Sequence, residues 1–166
     1  MPYQTVKDAI GKLPPIRAGK KHRSIINHES AGLSEKNKSR LSYVPKNGGS
    51  RDSWPQELVL ECHKNHVGHK DVYGRMKWNA PSPTLTCKCT SISNGRYGHP
   101  SQLRAISLRE AACLQTFPMS YEFYGNFQSK AMQIGNSVPV LLAKAFGEYL
   151  ITSLNKRKYE DVSHIF

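Results

Sequence analysis

Apolar positions fall into helical spacing at the start of the chain, again at residues 108–114, and over a longer run near the C-terminus, with loosely alternating residues in between. Thr5-Val6-Lys7-Asp8 predicts a capping box that opens a short helix through Ile10, stopped by Gly11 and by Pro14-Pro15. Ser107-Leu108-Arg109-Glu110 predicts a second capping box, after which Leu108, Ala111, Ala112 and Leu114 form an apolar face that ends before Pro118. From about Pro139 to Leu154 the stripe Leu142, Ala143, Phe146, Tyr149 and Leu150 predicts a helix of about 24 Å at 1.5 Å per residue. Lys156-Arg157-Lys158 follows, where the helix dipole favours cations, and leads into a tail expected to be mobile.

Between Val72 and Gly98 the residues favour strands: Val72-Tyr73-Gly74-Arg75-Met76, then Thr84-Leu85-Thr86-Cys87-Lys88-Cys89, then Arg96-Tyr97 after an Asn94-Gly95 turn signal. Pro81 and Pro83 hold the approach to the middle strand extended. A small twisted β-sheet is expected here. Residues 16–56 are basic and polar, with few apolar positions at any period, and predict irregular structure that orders against DNA or a partner. Residues 58–62 fit a short strand or a helical turn equally well. The expected class is α+β in four segments: 1–15, 16–103, 104–154 and 155–166.

Charge changes this picture. The 166 residues carry a formal net charge of +12, a pI near 9.7 and a mean hydropathy of −0.56. Residues 1–100 hold 17 Lys and Arg against 7 Asp and Glu, whereas residues 101–154 hold 4 against 3, so the excess that implies a polyanionic partner sits in the first 100 residues. There is no N-terminal apolar core of a signal peptide and no apolar run of about 18 residues, so a cytosolic protein with no membrane partner is expected. Four cysteines suit a reducing compartment. A zinc cluster could be drawn from Cys62, His63, His66, His69, Cys87 and Cys89, but Cys87-Lys88-Cys89 is too tight for paired ligands, and no metal is assigned.

Gln133-Ile134-Gly135-Asn136-Ser137-Val138-Pro139 combines a glycine that allows close backbone approach, two short polar side chains, and a proline that presets a helical first turn. The amides opening such a helix favour an anion such as a carboxylate. About 30 residues earlier stands Arg104-Ala105-Ile106-Ser107-Leu108-Arg109-Glu110-Ala111-Ala112-Cys113-Leu114-Gln115-Thr116-Phe117-Pro118. Together, in order and approximate spacing, the two stretches resemble the last two motifs of the DNA (cytosine-5)-methyltransferases.

The resemblance implies that Asn136, Ser137 and Val138 border the methionine moiety of S-adenosylmethionine, that Gln133 and Gly135 position this turn, and that the turn is a strand-to-helix element of the cofactor domain. It makes Arg109 and Glu110 structural ties to the recognition sheet. In this family a Thr-Leu pair lies beside the backbone of the flipped cytosine; Thr84-Leu85 occupies the matching place, which makes Thr84 the expected DNA contact. Arg75 is a candidate phosphate or guanine reader, with Lys77, Arg96 and Arg51 as further DNA candidates.

The family's covalent chemistry needs a cysteine in a Pro-Cys loop, an acid in a Glu-Asn-Val segment and a Gly-x-Gly cofactor turn. None of these stands in the sequence, and Thr5 to Pro14 resembles the segment just after the catalytic half. No catalytic residue is therefore assigned. The expectation is the C-terminal, DNA-recognising portion or subunit of a split enzyme, inactive alone. Its final helix would complete the Rossmann-like domain of a catalytic partner that shares the cofactor. A free-standing basic DNA-binding module or an inactive remnant is the alternative.

Overall fold

The computed structural model describes residues 3–64, 68 and 70–163, with residues 156–163 by backbone alone. Both predicted capping boxes are present. Thr5 accepts from the Asp8 amide and opens α1 (Val6–Ile10), whose first amides also dock on the carbonyls of Ala80 and Trp78. Ser107 and Glu110 exchange the same pair of bonds and open α4 (Leu108–Leu114). Between them lie α2 (Glu35–Tyr43), capped by Ser34, and α3 (Glu61–Lys64), with short 3-10 turns at Arg51–Ser53, Gln56–Leu58 and Ile92–Asn94. The chain continues into α5 (Phe127–Asn136), capped by Asn126, and α6 (Val140–Ser163).

The expected twisted sheet is absent: among the described residues only isolated bridges occur, joining Lys21 to Glu29, Arg75 to Gly98, and Gly98 to Ala105. The architecture is helical and irregular, not α+β with a recognition sheet. Local geometry explains this. Tyr73 turns at φ 62°, the Cys89 amide bonds the Thr86 carbonyl in a turn, and Ile92 to Asn94 coil. Pro81 and Pro83 offer no amide to a ladder. Residues 16–56 are held by the body itself, and α2 within them escaped notice because only Arg40 and Leu41 of it are buried.

Arginine side chains pair backbone carbonyls of segments distant in sequence. Arg75 donates from Nε to Val44, from Nη1 to His99 and Gln102, and from Nη2 to Leu41, all backbone oxygens. Arg109 serves Ile26, Pro118 and Tyr121 in the same way. Arg104 binds the carbonyls of Ile16 and Ala105 and grips both oxygens of Glu110 at 2.6 and 2.7 Å. Around these hubs one apolar core gathers α1, α4 and α5 through Val6, Ile10, Leu108, Ala112 and Ile134. A second joins Leu41, Val44, Trp54, Tyr73 and Ile92.

The final helix stands apart. It continues to Ser163, past the expected end at Leu154. Its apolar residues extend beyond the predicted stripe, because Leu141, Ile151 and Leu154 are exposed as well as Leu142, Phe146, Tyr149 and Leu150. Among the described residues no helix is long and apolar enough to cross a membrane.

Glu110 is 1% exposed. Burial pushes its carboxyl up, but the hydrogen bonds and charge of Arg104, with His99 and the Ser107 amide, more than offset this and hold it below the ordinary carboxylate range. Removing one partner of a buried pair leaves the other charge uncompensated, so Glu110→Gln is expected to cost about 3–5 kcal/mol, read from a urea-unfolding midpoint.

His99 gives a second prediction. Its Nδ1 accepts from the Ser101 and Gln102 amides, and its Nε2 lies 3.1 Å from the Gln102 side-chain nitrogen and 3.6 Å from Glu110. Burial pushes its pKa down to about 4, so it is neutral when folded, while the unfolded chain protonates it near 6.5. The unfolded state binds the extra proton between those values. Stability should therefore fall by up to roughly 3 kcal/mol as pH drops from 6.5 to 4. His99→Gln should make that slope shallower, leaving the share of His28, which burial also lowers.

Candidate functional site

The two stretches singled out in the sequence meet across one cleft of about 300 Å³, lined by Thr84, Leu85, Leu114, Gln115, Ser137 and Pro139. One wall is the extended segment 82–86. Its carbonyl at Thr84 accepts from the Tyr97 hydroxyl at 3.0 Å, while the Thr84 side chain is exposed. Tyr97 is itself buried and closes over Gly95, where a side chain would collide with its ring.

The opposite wall is the link between α5 and α6. Asn126 caps α5, and Phe127, Ala131 and Ile134 turn inward at helical spacing, so Gln133, Gly135 and Asn136 lie in its last turns. The expected strand-to-helix element is thus a helix-to-helix turn. Gln115 holds it: its buried side-chain amide donates to the carbonyls of Ile134 and Ser137, and its own carbonyl accepts from the Val140 amide at 3.1 Å. Thr116, at φ 61°, lends its hydroxyl to the Leu141 amide at 3.0 Å. Two of the amides opening α6, read from the sequence as an anion cradle, are therefore satisfied within the chain.

Gly135 is small for a different reason from the one expected. A β-carbon there would fall inside van der Waals contact with the backbone of Thr86 and Cys87. The close approach is to the chain's own opposite wall. Asn136 and Val138 are exposed, Asn136 in a separate hollow with Asn126 and Gln133, Ser137 is half-buried with its hydroxyl on the Ile134 carbonyl, and Gln133 is exposed with its amide on the Tyr124 carbonyl.

The cationic candidates divide by burial. Arg75 is 3% exposed and spends its guanidinium on four carbonyls, and Arg51 is buried with Nη2 on the Gly68 carbonyl, so neither reaches an external phosphate from its place. Arg96 is tied to Asp71 and to the carbonyls of Gly48 and Gly49 while keeping part of its side chain in solvent. Lys77 is exposed, its stem lying over Gly48. Arg109 and Glu110 are interior. Of the zinc candidates, His66 and His69 lie outside the described residues, Cys62 is exposed and Cys89 is buried. Gln115, which belongs to the 104–118 motif stretch, and Tyr97 organise the cleft, a role the sequence does not mark because their partners are carbonyls distant along the chain.

A family model described as C-5 cytosine-specific DNA methylase matches residues 3–152. The type II methylase M.HgiDII of Herpetosiphon aurantiacus is 44% identical over 88% of this chain and 43% of its own length. DNA (cytosine-5)-methyltransferase 3 of Arabidopsis thaliana is 36% identical over 92% of this chain and 13% of its own. The type II methyltransferase M1.HphI of Haemophilus parahaemolyticus is 34% identical over 90% and 37%. The chain thus spans less than half the length of these relatives.

Because backbone cannot step aside as a flexible side chain can, Gly135→Ala should cost about 1–3 kcal/mol by overpacking and push the two walls apart. The shift is read as displaced amide resonances at Thr86 and Cys87, with Tyr97→Phe as the comparison that loosens one wall alone.

Proposed function

Since the chain belongs to the C-5 cytosine-specific DNA methylase family, we propose that it is the DNA-recognition portion or subunit of a DNA (cytosine-5)-methyltransferase that modifies cytosine in a specific duplex site. The observation that carries this reading is the cleft in which Thr84 faces Ser137 and Pro139, just past Asn136, beside a helix whose apolar residues are exposed among the described residues. Thr84 offers a small exposed hydroxyl to the backbone of an extruded nucleotide, and Lys77 with the free part of Arg96 adds phosphate contacts.

S-adenosylmethionine supplies the methyl group when bound. The exposed amide of Asn136 and the exposed Val138 would hold its amino-acid moiety. The opening amides of α6 contribute less, since Gln115 and Thr116 occupy two of them. The remaining contacts, the nucleophile and the acid come from a catalytic partner, on whose cofactor domain α6 docks. Attack on cytosine needs a thiolate, and burial raises the thiols of Cys89, to about 11, and Cys113, which keeps them protonated.

Alone, the chain should transfer no methyl group from tritiated cofactor to DNA, and co-expression with a catalytic partner should restore transfer to C5 of cytosine at one site. In that complex Asn136→Ala should raise the KM for cofactor, while Thr84→Ala should weaken DNA binding with cofactor KM unchanged. Methylation by the single purified chain would overturn the split reading. Inactivity with every partner would favour a plain binding module or a remnant.

A further inference from the structure

One strongly charged surface lies outside the cleft. Two adjoining hollows share Pro15, Ile16, Arg17 and Lys20, and run on to Lys21 and Arg23 on one side and to Lys38 and Gln102 on the other. Arg17, Lys20, Lys21 and Arg23 are exposed, and their side chains make no hydrogen bond or ion pair among the described residues. No carboxylate lines either hollow. Of the two nearest in sequence, Glu29 is engaged with Lys130 at 2.7 Å, and Glu35 pairs with Lys38 at one end of the groove, which leaves Arg17, Lys20, Lys21 and Arg23 as its unpaired cations.

The groove is rigidly mounted. Its floor is fixed by Arg104 on the Ile16 carbonyl and by the Ile16 amide on Gln102. Gly19, at φ 73°, bonds Ala31, and residues 20–30 fold back as a hairpin through bonds between His22 and His28 and between Ser30 and Lys20. The far side of that hairpin is clamped onto α4, whose amides at Leu108 and Arg109 donate to Glu29 and Asn27, while Asn27 pairs through its side chain with the backbone of Phe123. A preorganised array of cations binds a polyanion without the ordering cost of a flexible basic tail.

We propose that this groove is a second DNA surface, which takes the sugar-phosphate backbone of duplex flanking the site faced by Thr84. The inference rests on the reading of DNA as the partner of the cleft. Unpaired cations along two adjoining open hollows match the repeated charge of a phosphodiester chain, about one per 1.7 Å of duplex axis. Pro15, Ile16, Ala18 and Leu103 add apolar surface to one hollow, but the unpaired cations Arg17, Lys20, Lys21 and Arg23 crowd the groove where a protein interface would be depleted of charge.

The test is fluorescence anisotropy of the full chain with a labelled 20-base-pair duplex of arbitrary sequence, titrated from 50 to 200 mM KCl. The variant K20Q/K21Q/R23Q should bind more weakly, with a slope of log K against log salt shallower by about 2–3, since each lost phosphate contact removes about 0.9. The charge-preserving K20R/K21R/R23K should bind as the parent does, which guards against a folding artefact. K12Q/K64Q/K144Q, which removes three charges elsewhere, should change the slope by less than about 1. Equal slopes for the two neutralised variants would overturn the groove while leaving the cleft reading intact. Loss of association with a catalytic partner at unchanged DNA affinity would likewise overturn it, assigning the groove to a protein interface. If the parent chain itself showed no salt-dependent binding, the reading of DNA as partner would fall with it.

Discussion

A chain with so little regular structure must still pair the carbonyls it buries, since an unpaired polar group in the interior costs about as much as a lost hydrogen bond. Here guanidinium groups do what strands would otherwise do. Arg75 alone collects carbonyls from residues 41, 44, 99 and 102, and Arg109 joins residues 26, 118 and 121. Lysine could not substitute, because one ammonium lacks the planar fork of five donors that lets a single side chain serve several segments. Hydrogen bonds to a charged donor contribute about 1.5–3 kcal/mol each. That is enough for one arginine to hold several loops without a sheet beneath them.

Helix α4 turns these local bonds into a site. At its start, Ser107 and Glu110 cap the backbone; Glu110 also receives Arg104, and Ser107 meets His28, whose other ring nitrogen donates to the Pro14 carbonyl. Along its length it packs on α1 and α5. Just past its end Gln115 and Thr116 hold the turn from α5 into α6. A disturbance at the buried Arg104 and Glu110 pair therefore reaches the cleft through a seven-residue helix. Arg109 and Glu110 are buried, with their polar atoms bonded to the chain's own groups.

The division of labour among cations follows from their chemistry. Arg75, Arg104 and Arg109 lie in the interior, where multiple directed bonds offset desolvation, and the exposed surface is left mostly to lysines with Arg17 and Arg23. Net charge counts both groups alike. The field at the surface comes from residues such as Lys20, Lys21 and Lys77, while the buried arginines hold the scaffold that carries them.

What the sequence determined by itself was whatever depends on neighbours three or four residues apart. Both capping boxes, the helices they open, the proline and glycine stops and the apolar final helix were legible because donor and acceptor sit within one turn. The two motif stretches likewise carried the family. The tertiary structure decided the rest. Whether residues 72–98 pair as strands depended on Tyr73 taking a left-handed turn and on Ile92–Asn94 coiling. Whether Gly135 faces a ligand or the Thr86 backbone, and whether an arginine points out to a phosphate or in to a carbonyl, depended on which segments pack together. An arginine has the same letter in either place, and only the surrounding carbonyls determine which way its charge is satisfied.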